Sequence, residues 1–487
     1  MYTDGILVLD FGGIEGRAIA RRMRGEQVFC TVMPVMSSID AIRAQGARGI
    51  IIAGGGRDAF AEGAPRIPAA VYELGLPMLG VGYGARALLR DAGAVLKGSQ
   101  FGVMAKQVSF DEVPLFRDLT TSDRAFSRLD DVELPDGFIR TAVTDDGCCA
   151  AFENAGHKCW GMQFCPEAND PDGLLILRNF ARGLCGAEPN WNMASFLDWS
   201  LGQIRHMVGD RRALVAISGG VDSAVCAALV HRAVGEKLVC VHVDTGLMRA
   251  GEREQVQHYF VDEGIGLRII DAQARFLEAL DGLTSSDEKR GAVYREYGRV
   301  VQEVIDDHGE DMLLAQGIIY PDILDEPDEW AHARGHAIEP IKMLFKDEVR
   351  ELGALLGLPK GLVNRQAFPG PGLALRCAGA ISAEKIAIVR RADQIFRDEV
   401  VKAGLDKRVR QYFAVLAATT TKGHDGNYGH TVALRAVNAD AGGGATAYRM
   451  PYDLLERVCE RLVAEVTGVN RVTYDITGVP PALVEWE

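Results

Sequence analysis

Two parallel-sheet α/β domains followed by a smaller α+β unit are what this sequence predicts, and three observations carry the prediction. Short apolar runs alternate with helical stretches from Met1 to about Pro189, a second alternation of the same kind begins near Trp191, and from about Gly370 long helices mix with strands instead. The chain of 487 residues has room for all three, at the usual size of about 100–200 residues per domain. The expected domains are therefore residues 1–189, 190–369 and 370–487.

In the first region ILVLDF, GIIIAGGG and PMLGVGYG read as strands, and AIARRMRG and GARALLRDAG as helices between them. Such alternation implies a mostly parallel sheet. The stretch GAEPNWNMASF is read as a linker. Beyond it LVAISGG, KLVCVHVD, LRIID and DMLLAQG predict a second parallel sheet. The last region supplies the helices AEKIAIVRRADQIFRDEVVKAG and PYDLLERVCERLVAEV with the strands HTVALRAV and RVTYDIT, and NADAGGGATAY is read as a flexible loop.

Composition narrows the function. Hydrophobic residues make up 48% and charged residues 25%, a globular profile, and no apolar run reaches the roughly 18 residues of a membrane span. The start MYTDGILVLDFGG lacks a basic stretch followed by a long apolar core, so no secretion signal is expected. Ten cysteines without CxxC spacing predict reduced thiols in a cytoplasm, with Cys148 and Cys149 as plain strand residues. A net charge of −14 disfavours nucleic-acid binding but leaves room for a local phosphate pocket.

The run LVAISGGVDSAVCAALV places Ser218, Gly219, Gly220, Val221, Asp222 and Ser223 between a buried strand and a helix start. Glycines let the backbone approach a ligand closely, and successive N–H groups at a helix N-terminus form a concave anion site. An ordinary strand-to-helix turn uses the same residue types, and SGG alone does not separate the two readings. The whole hexapeptide after an apolar strand favours a pyrophosphate cradle. No GxxxxGK[ST] loop is present.

That hexapeptide resembles the PP-loop of the ATP pyrophosphatases. LDFGG, IARRMRG, IIAGGG, LGVGYGARAL and GMQFCPE are similar to a class I glutamine amidotransferase domain; VDTGLMRAGE, AQGIIYPD, FKDEVRELG, FPGPGLALR, VALRAV and the ending RVTYDITGVPPALVEWE resemble GMP synthetase. The resemblance implies that a first domain hydrolyses glutamine, a second adenylates the 2-oxygen of xanthosine monophosphate with ATP and Mg²⁺ for displacement of AMP by ammonia, and a third makes a homodimer and completes the nucleotide site.

The first domain departs from that pattern. Gly82 stands where the family has its nucleophilic cysteine, Cys165 where it has histidine, and only Glu167 of the triad positions is kept. A thiol with an ordinary pKa of about 8.5 is mostly protonated near neutrality and is a poor base. Gly13, Ile14, Gly56 and Arg57 also differ from the family's glutamine-binding loops. The sequence thus predicts an amidotransferase fold without glutaminase activity.

By resemblance, Ser218 to Ser223 hold pyrophosphate, Asp244 and Gly246 lie near the adenosine, and Asp322, Asp325, Lys346 and Asp347 are catalytic. Read without the family, FKDEVRELG is a solvated helix start with Asp347 and Glu348 favouring its dipole. Arg365, Gln411, Arg471 and Glu485 match contacts to the substrate nucleotide, whereas Val479 replaces a phosphate-binding lysine, and Gln366 and Ala367 replace His-Pro. Loss of one charge-assisted contact costs about 1.5–3 kcal/mol. The family's cationic lid corresponds to Asp325–Pro340, shorter and acidic at its start, where His332, Arg334 and His336 are replacement cations or plain surface residues.

Three functions follow from this pattern. The first is an ATP-dependent ligase that adenylates an oxo group of a purine-like or related heterocycle for displacement by ammonia or another amine. The second is GMP synthesis with free or externally supplied ammonia. The third is a non-catalytic ATP-binding regulator. Sulfur insertion is disfavoured because the tail follows the GMP synthetase pattern and no catalytic cysteine pair is evident.

Overall fold

The computed structural model describes residues 4–56, 58–166, 170–262, 264–309, 312–325, 337–366, 368–424, 426–439 and 444–486. The chain divides into two compact units, Met1–Phe196 and Leu197–Glu487.

The first unit is built on a nine-stranded sheet. Cys30–Pro34, Ile6–Asp10, Gly49–Ala53, Met78–Val81 and Cys159–Met162 run parallel in that order. Their runs are almost continuously apolar because both faces are covered. Cys149–Asn154, Ile139–Thr144, Val95–Phe110 and Thr121–Glu133 then continue the sheet antiparallel. The sheet is therefore parallel in one half only. The antiparallel strands alternate exposed and buried residues, as in Thr121–Glu133, which is the weaker pattern of a sheet with one solvated face. Cys149 opens a strand and Cys148 lies in the turn before it. All ten cysteines are free thiols.

The expected linker is packed instead. Trp191 is buried, with its ring 4.8 Å from Phe29 and 5.6 Å from Phe196, and a helix begins at Met193. Burial of two large rings outweighs the polar, loop-like composition of the segment.

In the second unit five parallel strands stand in the order Leu267–Asp271, Leu238–Asp244, Arg212–Ala216, Met312–Ala315, Ala337–Ile338. The chain first winds one way from Arg212–Ala216 and later returns to pair with its other side. In sheets of this kind a crevice opens at the carboxyl ends of the strands where the order reverses, and ligands bind there. Ser218 to Gly220 leave the central strand at that point.

The helix Val221–Val234 follows, buried along nearly its whole first half, as a helix apolar on all sides must be. Gly317, just past the strand Met312–Ala315, lets it approach: a Cβ there would lie 2.8 Å from the carbonyl carbon of Asp222 and 2.9 Å from the amide nitrogen of Ser223. Gly317→Ala is expected to displace the start of that helix and to cost about 1–3 kcal/mol in stability, which thermal melting checks.

Gln411–Lys422, Tyr428–Ala439 and Ala445–Ala447 form an antiparallel sheet that Val469–Asp475 joins in parallel. The predicted loop Asn438–Tyr448 is partly strand: Asn438 pairs with Thr446 and Ala439 with Ala445. Both sheets of this unit share one apolar core, with Leu214 and Val243 in the same cluster as Phe396, Leu434 and Leu462. No helix among the described residues is long and apolar enough to cross a membrane.

Candidate functional site

The SGGVDS turn is held by its own side chains. Ser223 Oγ accepts from the Ser218 amide at 3.2 Å and donates to the Gly220 carbonyl at 3.1 Å, and the Gly220 amide donates to Ser218 Oγ at 3.3 Å. Gly219 has φ +81°, a conformation that L side chains rarely adopt. The first-turn amides of the helix have no intrahelical acceptor, so the turn presents N–H groups and a positive dipole to one side.

On that side lies a cavity of about 590 Å³, within the range of about 300–1,000 Å³ that small-molecule sites occupy. Ser218, Asp222 and Ser223 line one wall, Tyr294 and Tyr297 of the helix Ser286–His308 another, and Lys346 and Arg365 bring two cations. Lys346 Nζ stands 2.5 Å from Asp222 Oδ2, although the two are 124 residues apart in sequence. Asp222 Oδ1 is buried without a hydrogen-bond partner among the described residues. A buried, unpartnered carboxylate oxygen beside the amides of a helix N-terminus suits Mg²⁺, which needs only one or two carboxylates when phosphates and water complete its shell. Arg365 donates to the Gly219 carbonyl and pairs with Glu252.

His242 also lines the cavity. Its Nδ1 lies 2.7 Å from the Ile217 carbonyl; with the proton there, Nε2 is a buried acceptor without a donor among the described residues. Burial is the largest influence on the ring and lowers its pKa below the ordinary 6.5. As pH falls below 6.5 the unfolded chain takes up a proton that the folded chain resists, so stability is lost over that window. Unfolding free energy measured from pH 7 down to 5 is expected to slope downward, and His242→Gln to flatten the slope.

Other expected residues stand elsewhere. Asp244 ends its strand buried, accepting from Arg253 at 2.7 Å, Gln273 at 3.0 Å and the Gly246 amide at 3.1 Å; neither Asp244 nor Gly246, which has φ +69°, lines the cavity. Asp322 is exposed on the helix Tyr320–Asp325, where its Oδ2 accepts from the Ile319 amide at 3.0 Å. Asp325 closes that helix. Asp347 is exposed in the first turn of Lys346–Leu355, while Glu348 is buried and caps it through the Phe345 amide at 2.7 Å. Arg471 is exposed on Val469–Asp475. Gln411 and Glu485 meet, Nε2 to Oε1 at 3.0 Å, and Val479 pairs through its backbone with Ala445. Ala367, Glu167 and the lid residues His332, Arg334 and His336 lie outside the described residues.

Sequence reading missed His242, Glu252 and Arg376. Arg376 ends the motif FPGPGLALR, yet nothing in the motif says that it is wholly buried and paired with the partly exposed Glu485.

In the first unit, Gly82 joins Met78–Val81 to the helix Tyr83–Asp91 with φ +58° and ψ −114°. The sharp strand-to-helix elbow therefore persists without a nucleophile. A Cβ on Gly82 would lie 3.1 Å from Cys165 Sγ and 3.7 Å from Glu15 Oε2. Glu15 Oε2 in turn accepts from the Gly54 amide at 3.3 Å. A carboxylate thus occupies an amide donor beside the elbow.

Comparison with known proteins agrees with this division. Residues 7–184 match the class-I glutamine amidotransferase family and residues 398–486 the GMP synthase C terminal domain. Glutamine-hydrolyzing GMP synthase of Clostridium botulinum is 40% identical over 510 residues, covering 100% of both chains. The enzymes of that name from Acetivibrio thermocellus and Carboxydothermus hydrogenoformans are 41% identical over 519 residues and 39% over 513, covering 100% and 99% of both chains. Identity at this level along the whole length, with both family matches in order, shows that this chain belongs to the GMP synthase family.

Proposed function

We propose that this chain is an ATP-dependent C–N ligase of the GMP synthase type that makes no ammonia of its own. ATP sits in the cavity with its pyrophosphate on the Ser218–Ser223 loop and Lys346 offsetting phosphate charge; Asp222 would hold Mg²⁺, which would neutralise more of that charge. An oxo oxygen of a purine-like or related heterocycle attacks the α-phosphorus and pyrophosphate leaves. Ammonia or another external amine then adds to the activated carbon, and AMP departs with that oxygen. The carrying observation is the Lys346–Asp222 contact at the mouth of the glycine turn, which sets a cation and a carboxylate together in the lining of the cavity. Arg365, Gln411, Arg471 and Glu485 are assigned to the acceptor, Asp322, Asp325 and Asp347 to support of the reaction, and residues 370–487 to a dimerising domain. The chain is assigned to the cytoplasm.

Xanthosine monophosphate is the acceptor in the second reading, favoured by the full-length likeness to GMP synthases. Val479, which brings no cation to a phosphate, favours an acceptor with less charge. Incubation with ATP, Mg²⁺ and ammonium, screening xanthosine monophosphate against unphosphorylated heterocycles while AMP and pyrophosphate are measured, separates the two. Binding of ATP with no turnover on any acceptor would leave the regulatory reading.

A further inference from the structure

The buried ions of the second unit form a chain. Glu252, Arg249, Asp393 and Arg376 are exposed by 4%, 4%, 1% and 0%. Arg249 Nη1 lies 3.6 Å from Glu252 Oε1 and its Nε 3.4 Å from Asp393 Oδ2. Asp393 Oδ1 lies 3.5 Å from Arg376 Nη1, and Arg376 reaches both oxygens of Glu485 at 3.2 Å. At one end, Glu252 pairs with Arg365, which donates to the Gly219 carbonyl of the glycine turn. At the other, Gln411 donates to Glu485 at 3.0 Å. The Phe368 ring faces both arginines, 4.3 Å from Arg249 and 5.0 Å from Arg376.

Stability does not account for this arrangement, since apolar side chains of the same volume commonly stabilise a core as well as buried ion pairs do. Nor are the side-chain pairs of Arg249 tightly made. All three side-chain nitrogens of Arg249 and Asp393 Oδ2 lack a hydrogen bond among the described residues, so the central link is an electrostatic contact without fixed geometry. Positive and negative groups nonetheless alternate without a break from the phosphate-binding turn to the carboxylate near the C-terminus. Movement at either end changes the balance at the next ion, which is costly where water does not screen it.

We propose that Asp393 is a positioning residue for the ligase: through Arg249, Glu252 and Arg365 it holds the glycine turn at Gly219, and through Arg376 it holds the Glu485 carboxylate, so that cradle and tail are ordered together. This rests on the reading of the turn as the ATP cradle and of Glu485 as an acceptor contact. The ends of the ion chain are far apart in sequence, and the buried ions are the continuous contact between them.

Amide hydrogen exchange of the full-length protein without nucleotide tests it. Glu485→Gln, at the partly exposed end, is expected to speed exchange in residues 216–224 several-fold as well as in 477–486, and Glu252→Gln to do the reciprocal, with Ile6–Asp10 unchanged as the internal reference. Asp393→Asn keeps the acceptor oxygen for the Ala414 amide and is expected to loosen both segments. In turnover it is expected to lower kcat/KM for the acceptor by about 10- to 100-fold, mainly through kcat, as misalignment of two bound substrates does. Should Asp393→Asn not fold, the two end variants decide the matter alone. Exchange confined to the segment next to each substitution would overturn the proposal. A chain that shows the reciprocal exchange but forms no AMP would instead refute the ligase reading and leave the ion chain standing.

Discussion

Glutamine as sole nitrogen source is expected to support no AMP release by this chain above the rate without a nitrogen donor, and to yield no glutamate. Gly82 supplies an elbow but no thiolate, and removal of the nucleophile from a catalytic constellation costs on the order of 10⁶-fold in kcat. Gly82→Cys is not expected to restore activity. The new Cβ would sit 3.1 Å from Cys165 Sγ, so two thiols would crowd one another with no imidazole among the described residues within 4 Å of that Cβ, and an L side chain would carry the strain of φ +58°. The Glu15 carboxylate would still hold the Gly54 amide, a donor that a developing oxyanion beside the elbow would need. Glutamate release, measured with an enzyme-coupled assay on the purified chain, checks both statements. Release at rates comparable to AMP formation would show that another nucleophile is in use.

Lys346→Met is expected to lower the rate of AMP and pyrophosphate formation by about 10²–10³-fold, the usual cost of removing one group that stabilises transition-state charge. The side chain reaches Asp222 from the first residue of its helix, and the helix keeps its own cap through Glu348 and the Phe345 amide, so melting is expected near that of the parent protein. Asp222 and Lys346 side chains are 26% and 40% exposed, so solvent screens their mutual attraction and the contact contributes little to folding. A large kinetic loss without a loss of stability would place the lysine in the chemistry. Turnover within tenfold of the parent would place it in the surface of the helix start.

The local parts of this site were legible because each depends on neighbours in the chain. An apolar strand, two glycines and two serines within a few residues are enough to suggest a tight turn open to an anion, and the hydrogen bonds of Ser218 and Ser223 are internal to it. The antiparallel half of the first sheet was not legible, since strands alternating on a solvated face resemble many polar segments. Trp191 was read as part of a linker because its partners Phe29 and Phe196 declare themselves only in space. Asp322 and Asp347, catalytic by likeness, stand exposed and outside the lining of that cavity.

By itself the sequence determined what chemistry is absent and what is available: no side chain at Gly82 can attack a carboxamide, and SGGVDS after a buried strand can meet a polyphosphate. Tertiary structure alone decided which distant ions meet, Lys346 with Asp222 and Arg376 with both Asp393 and Glu485. The physical reason is that a residue's own reactivity is written in its atoms, whereas a contact across 124 or 109 positions exists only once strand order and helix packing have brought two surfaces together.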